Sequence, residues 1–238
     1  MISDITTAPS LLITGTDTEI GKTIVTTAIA AYWQTYLQPD NPTSLGIYKP
    51  IQCGSGDREL FQRVLNLDQS PEQITPQYFD APLAPPIAAL KAGQEIDLGL
   101  LWQQFNQLRS QKQFVLVEAL GGLGSPLTNE YIVADLARDW ALPTVLVVPV
   151  KIGAVGQTIA NVALARANKI DLRGIILNCP IADQTEAEIA DLAPIDMIES
   201  LANLPVLGRI PHLQPQDRED VTKLAHAATG LELVRLGL

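Results

Sequence analysis

Cysteine, histidine, lysine and aromatic side chains are all in short supply in this chain, and most of these shortages narrow its possible functions. Cys53 and Cys179 are the two cysteines, far apart in sequence, and only two histidines accompany them. Neither a disulfide framework nor a zinc site has the material to form. Basic residues are outnumbered: 16 Lys and Arg stand against 26 Asp and Glu, and the net charge of −10 argues against a nucleic-acid partner. No apolar run approaches the length of a membrane span, and the longest, residues 142–150, is interrupted by Pro143 and Pro149. That run reads as a buried strand, and no membrane partner is expected. Residues 1–10 carry neither a basic region nor an apolar stretch, so no secretion signal and a cytoplasmic location are expected.

Aliphatic bulk is what the chain does have. Hydrophobic residues make up 47% and charged residues 18%, a composition that folds around a core. With Val, Ile, Leu and Ala dominant, strands buried on both faces by helices are the natural reading. Apolar β-rich runs at residues 11–14, 44–48, 114–118, 144–150, 174–178 and 206–210 predict strands. Helical patterns lie at 22–37, 97–112, 131–140, 156–169, 185–202 and 218–227. This alternation is that of βαβ units, so the predicted fold class is α/β. It is a single domain over residues 1–238, three-layered, with a mostly parallel central sheet flanked by helices. Residues 70–86 hold five prolines and little periodicity, and read as a long loop over the sheet.

Three of only seven lysines, Lys22, Lys49 and Lys151, fall just after strand-like runs, where solvated surface lysines would not gather. The first belongs to a phosphate loop. A strand Leu11-Leu12-Ile13-Thr14 leads into Gly15-Thr16-Asp17-Thr18-Glu19-Ile20-Gly21-Lys22-Thr23 and then an apolar-periodic helix, the context that a P-loop NTPase fold requires. Glycines let such a loop curl so that backbone N–H groups point inward on an anion, and the helix N-terminus adds its dipole. Lys22 would reach the β- and γ-phosphates and the Thr23 hydroxyl would ligate Mg²⁺. The first glycine sits one residue earlier than the usual spacing, which would place it at Thr16.

A carboxylate is expected beside this loop, and Phe114-Val115-Leu116-Val117-Glu118 supplies one at a strand's end, followed by Gly121-Gly122. Tyr48-Lys49-Pro50 closes the second strand, which points Lys49 into the crevice at the carboxyl ends of a parallel sheet. Asp57, in Gly54-Ser55-Gly56-Asp57, reads either as a third metal ligand or as the cap of a helix starting at Arg58.

Taken together, these motifs resemble those of the dethiobiotin synthetases. The likeness runs from Leu12 to about Leu213. It rests on the stretched phosphate loop Thr14–Thr23, Gly46-Ile47-Tyr48-Lys49-Pro50, Val117-Glu118 with Gly121-Gly122, and Ser125-Pro126-Leu127. Leu142-Pro143, Val150-Lys151-Ile152-Gly153, Gly174-Ile175 before Asn178, and Gly208-Arg209-Ile210-Pro211 continue the order. The resemblance implies an ATP- and Mg²⁺-dependent cyclo-ligase of biotin biosynthesis, acting on 7,8-diaminononanoate (diaminopelargonate) and CO₂ or bicarbonate through a carbamate and a carbamic-phosphoric anhydride. It implies that Glu19, Ile20, Gly21, Lys22, Thr23 and Ile24 line the nucleotide phosphates, with Gly121 nearby. Thr23, Asp57 and Glu118 would bind Mg²⁺, and Lys49, Lys22 and Thr18 would be catalytic. Asn178 would meet the adenine, with Pro211, His212 and Leu213 beside it. Members are homodimers in which the substrate carboxylate is held by the partner's loop; here that role would fall to Gly153 and Ala154, while Cys53 and Lys49 face the substrate.

The chain departs from the family pattern in places. Cys53 stands where a Ser or Thr hydroxyl is frequent, and the family's Glu-Gly-Ala-Gly-Gly reads Glu118-Ala119-Leu120-Gly121-Gly122. Gly156 stands where a partner side chain is used, and the acidic residue near the ribose aligns ambiguously with Asp217, Arg218 or Glu219. Two rivals carry the same loop: a partition-type (ParA/MinD-like) ATPase and an amide ligase fed by a glutaminase. The first places a lysine near the loop's start, and Gly15-Thr16-Asp17 has none; the second needs a glutaminase domain that is not expected within this length, though a separate subunit could supply one.

Overall fold

The computed structural model describes residues 8–238, so most of the segment read as lacking a secretion signal, residues 1–7, lies outside the described residues. In chain order the elements are β1 (Ser10–Gly15), α1 (Lys22–Tyr32), β2 (Leu45–Tyr48), β3 (Ile51–Cys53), α2 (Asp57–Val64), α3 (Pro71–Ile74), β4 (Gln77–Phe79), α4 (Pro85–Lys91) and α5 (Leu98–Arg109). Then come β5 (Phe114–Gly122), α6 (Val133–Asp139), β6 (Thr144–Pro149), α7 (Ala154–Ala167), β7 (Leu172–Asn178), α8 (Glu186–Leu192), α9 (Ile195–Ala202), β8 (Val206–Ile210) and α10 (Val221–Ala227). Six strands form one sheet in the order β2-β5-β1-β6-β7-β8, with every neighbouring pair parallel. They are the six strands that the apolar runs predict.

Each central strand is buried on both faces, which is why its sequence is continuously apolar rather than alternating. Leu11 and Ile13 of β1, with Val145 and Val147 of β6, pack against Val25 and Ile29 of α1 and Leu224 of α10. Leu12, Val115 and Val117 point the other way, onto Leu101 and Phe105 of α5 and Leu136 of α6. On that same side Leu146, Val148 and Ile175 meet Val162 of α7 and Ile198 of α9. Burying each such side chain contributes about 1.5–3 kcal/mol, so the two helical layers hold the sheet rigid from both faces.

Several sequence expectations change. Residues 70–86 are not an irregular loop: they form α3 and β4 and enter α4, and β4 pairs with β3 as a second, two-stranded parallel sheet. Three-residue strands are too short to show a period, and three of the five prolines, Pro71, Pro85 and Pro86, lie at helix starts, where a missing N–H costs nothing. β5 does not end at Glu118 but runs on to Gly122. The helix expected over 185–202 is two, interrupted at Ala193 and Pro194. The helix expected over 22–37 becomes π-helical at Trp33–Leu37. α7 starts at Ala154, so Gly156 lies in its first turn.

Candidate active site

β1 lies between β5 and β6, and its carboxyl end opens into the phosphate loop. Glu19 adopts φ 55° and Gly21 φ 93°, two left-handed residues that fold the chain back so that α1 starts at Lys22. A Cβ at Gly21 would come within 2.1 Å of the Asn178 Nδ2, so only glycine fits there. That nitrogen donates to the Ile20 carbonyl at 2.9 Å and ties the loop to the end of β7. Lys22, mostly buried, donates from Nζ to the Asp17 carbonyl at 2.6 Å.

Behind the loop lies a tight polar cluster. Glu118 of β5 is fully buried, yet every donor it needs is present. Its Oε2 accepts from the Thr26 hydroxyl at 2.7 Å, its Oε1 accepts from Lys49 Nζ at 2.8 Å, and the Thr23 hydroxyl oxygen lies 3.1 Å from Oε1. Asp57 meets the same partners: Oδ1 accepts from Thr23 at 2.8 Å and Oδ2 pairs with Lys49 at 2.7 Å. One buried ammonium is thus shared by two carboxylates. Burial alone would drive the Lys49 pKa down, but Glu118 and Asp57 outweigh it and hold the ammonium above the usual lysine range. Burial likewise pulls on Asp57, and Lys49 overrides it, keeping that carboxyl below its ordinary value. Lys22 goes the other way: burial, assisted by repulsion from Lys49, brings it down to about 8 against the attraction of Glu118, Asp57 and Asp17.

A cleft of about 860 Å³ opens over this cluster, lined on one side by Thr18, Glu19, Lys22 and Thr23 and on the other by residues of the β3–β4 region. It has the size for a ligand with several charged groups. A family model described as an AAA domain matches residues 9–220. The ATP-dependent dethiobiotin synthetase BioD of Crocosphaera subtropica is 53% identical, the match covering 95% of this chain and 99% of that protein. The enzyme of the same name from Gloeothece citriformis is 50% identical over 95% of this chain and 98% of its own length. The chain belongs to the dethiobiotin synthetase family. A cell division ATPase MinD from Pyrococcus furiosus superposes with a TM-score of 0.55 at 14% identity, covering 93% of this chain and 90% of that one, and shares the fold alone.

The residues that the synthetase resemblance singles out fall into five places. Thr18, Glu19, Gly21, Lys22, Thr23, Lys49, Cys53, Asp57 and Gly121 line the cleft. Glu118 lies beneath it, reached through Thr23 and Lys49. Ile20 is buried in the core and Ile24 packs partly against it, so both serve the loop through the backbone or by packing. Asn178, Pro211, His212 and Leu213 gather at the ends of β7 and β8, where Cys179 N–H donates to the Ile210 carbonyl and His212 Nδ1 lies 3.1 Å from the Pro180 carbonyl. Gly153 and Ala154 are not among the residues lining the cleft; they form the start of α7, with Gly153 at φ 91°. Lys151, grouped with Lys22 and Lys49 by its position after a strand, is not among the cleft's lining residues either. Asp57 is the first residue of α2 rather than the cap of a helix beginning at Arg58. At Cys53 burial pushes the thiol up to about 11 against the pull of Lys49, so it is a neutral wall group rather than a nucleophile.

Sequence reasoning missed Gln52, Asp80, Leu83 and Ser125, all of which line the cleft. Asp80 and Leu83 arrive through the short β4, which carried no periodic signal. Ser125 was quoted in a motif, but its task is visible only in space: its Oγ accepts from the Gly122 N–H at 2.9 Å. A Cβ at Gly122 would stand 2.8 Å from the Gly15 carbonyl, which explains the glycine at this crossing of β5 and the phosphate loop.

Proposed function

We propose that this protein joins CO₂ to 7,8-diaminononanoate and closes the five-membered urea of dethiobiotin, cleaving ATP to ADP and phosphate. The whole described chain is read as one catalytic unit, cytoplasmic and acting as a homodimer. The observation that carries the reading is the buried Lys49 ammonium, held between Glu118 and Asp57 directly behind the phosphate-loop residues Lys22 and Thr23. A bare ATP switch needs the loop. A second cation at this depth serves a second anionic group, and a carbamate is one.

The chemistry follows from charge. One amine adds to CO₂ and loses a proton to give a carbamate, a poor acylating agent. A carbamate oxygen attacks the γ-phosphorus as the bond to ADP breaks, and the neighbouring amine then attacks the carbonyl carbon as phosphate departs. Lys49 stabilises the carbamate oxygen and Lys22 the γ-phosphoryl oxygens, both from a site where water is scarce and charge interactions are strong. Thr18 and Gly121 flank the same space, and the loop N–H groups of residues 19–24 bind the phosphates. Thr23, Asp57 and Glu118 offer only hard oxygen donors, which suits Mg²⁺. Among the described residues no three His, Cys, Asp or Glu side chains form a metal group, and with nucleotide bound the Thr23 hydroxyl and phosphate oxygens would share in holding the ion. Held there, Mg²⁺ would neutralise phosphate charge. Asn178 and residues 211–213 take the adenine, Cys53 borders the diamine, and Gly153 and Ala154 of each protomer serve the other's substrate carboxylate. Holding both amines on one frame makes ring closure intramolecular, which lowers its entropic barrier.

The test is to mix the protein with the diamine, bicarbonate, ATP and Mg²⁺ and look for dethiobiotin by mass. Dethiobiotin with stoichiometric ADP is expected. No product, with ATP turnover indifferent to the diamine, would contradict the proposal.

A further inference from the structure

An acidic residue at the first position of a helix ordinarily serves the free N–H groups of that helix's first turn. Asp57 does not: both its carboxylate oxygens are engaged by Thr23 and Lys49. The N-cap of α2, Gly56, has no side chain to take over. The role is filled from β3. Gln52, only 3% exposed, accepts from the Arg58 N–H through Oε1 at 2.9 Å. Glu59 completes the cap, its Oε2 accepting from the Gly56 N–H at 2.8 Å. The two are clasped together, because Gln52 Nε2 donates to Glu59 Oε2 at 3.0 Å and to the Gly54 carbonyl at 3.0 Å. Between these anchors the chain turns through Gly54 at φ 79° and Gly56 at φ 135°, a stretch with little stiffness of its own.

We infer that Gln52 is a positioning residue, a surrogate cap for α2 that releases the Asp57 carboxylate to the divalent cation accompanying the nucleotide. The inference rests on the reading of Asp57 as a metal ligand given above. Without the Gln52 amide the Arg58 N–H loses its partner, and Asp57, one residue away, is drawn back to satisfy it. Helix and cation then compete for one carboxylate.

Mn²⁺ titration followed by electron paramagnetic resonance, with a non-hydrolysable ATP analogue bound, tests this directly. Gln52→Ala should weaken Mn²⁺ binding about tenfold, the lower end for residues that orient a ligand, while metal-free analogue binds within about twofold of wild type. Gln52→Glu keeps side-chain volume but sets two carboxylates face to face, and it should weaken Mn²⁺ similarly. The reciprocal pair Gln52→Glu/Glu59→Gln restores a donor opposite an acceptor and should recover most of the affinity. These volume-conserving variants carry the test if Gln52→Ala fails to fold. Asp57→Asn is the control. If it weakens Mn²⁺ while the Gln52 variants do not, the positioning role is overturned. If Asp57→Asn binds Mn²⁺ like wild type, the ligand reading falls and this inference with it. Equal losses with and without metal would also overturn it, because the damage would then be general.

Discussion

Lys49 can stay charged in the interior only because two carboxylates share it, and the three form a unit that is costly to break. Lys49→Ala should therefore be tested with Mg²⁺ present, so that Glu118 and Asp57 retain a cation. Its kcat should fall about 10²–10³-fold, the effect of removing one stabilising donor from a developing charge, with ATP affinity largely kept. Near-wild-type kcat would remove Lys49 from the mechanism. Lys22 makes a prediction about protons. Its folded pKa, about 8, lies below the ordinary lysine value of 10.5, so the unfolded chain holds more protons between those values. The burial penalty is full below pH 8 and is relieved as pH rises through that window. A bound triphosphate adds anionic charge to that of Glu118, Asp57 and Asp17 around Lys22 and draws the proton back. Metal-free ATP binding at pH 8.5 should take up protons, seen as a binding heat that depends on the buffer's ionisation enthalpy, and Lys22→Met should abolish the uptake. Equal uptake in the variant would contradict this. Lys22, Lys49, Thr23 and Glu118 were legible because each sits at a fixed offset from a strand end. Thr26 and Gln52 were not, since their hydrogen bonds to Glu118 and Arg58 join residues that only the fold brings together.

At the scale of elements, burial decided what could be read. The six strands of the main sheet are apolar throughout because helices cover both faces, and that signal survives in sequence. β3 and β4 span three residues each, shorter than any period, so the region that forms the cleft's far wall looked like loop. The sheet's exposed-edge problem is met by a device equally hidden from pattern. β2 is an edge strand, and the buried Gln69 side chain mimics a missing neighbour: its Oε1 accepts from the Ile47 N–H and its Nε2 donates to the Ile47 carbonyl, both at 2.8 Å. Gln69→Ala leaves two buried backbone groups unpaired, each costing about 1–3 kcal/mol. Denaturant unfolding should show a loss of about 2–6 kcal/mol. A loss below about 0.5 kcal/mol would mean that water or another group takes over the pairing. Because β2 leads straight into Lys49, the same variant should lower activity at temperatures where the fold is otherwise intact.

For the whole molecule, architecture and chemistry separate. The fold is shared with a MinD ATPase at 14% identity, so the sheet order says little about the reaction. What bears on the reaction is local: a phosphate loop with its first glycine one residue early, a second lysine behind it, and a cleft walled by the β3–β4 region. Acidity fits the same picture. The chain carries a net charge of −10, while the cleft concentrates Lys22 and Lys49 where the proposed anionic groups would react. No helix among the described residues is long and apolar enough to cross a membrane. Phosphorylation of a carbamate by ATP moves one carbamate oxygen onto phosphate, and oxygen tracing reads that transfer. Turnover with ¹⁸O-labelled bicarbonate, the diamine, ATP and Mg²⁺ should yield dethiobiotin together with inorganic phosphate carrying one ¹⁸O from the carbamate. Dethiobiotin formed with unlabelled phosphate would contradict the account.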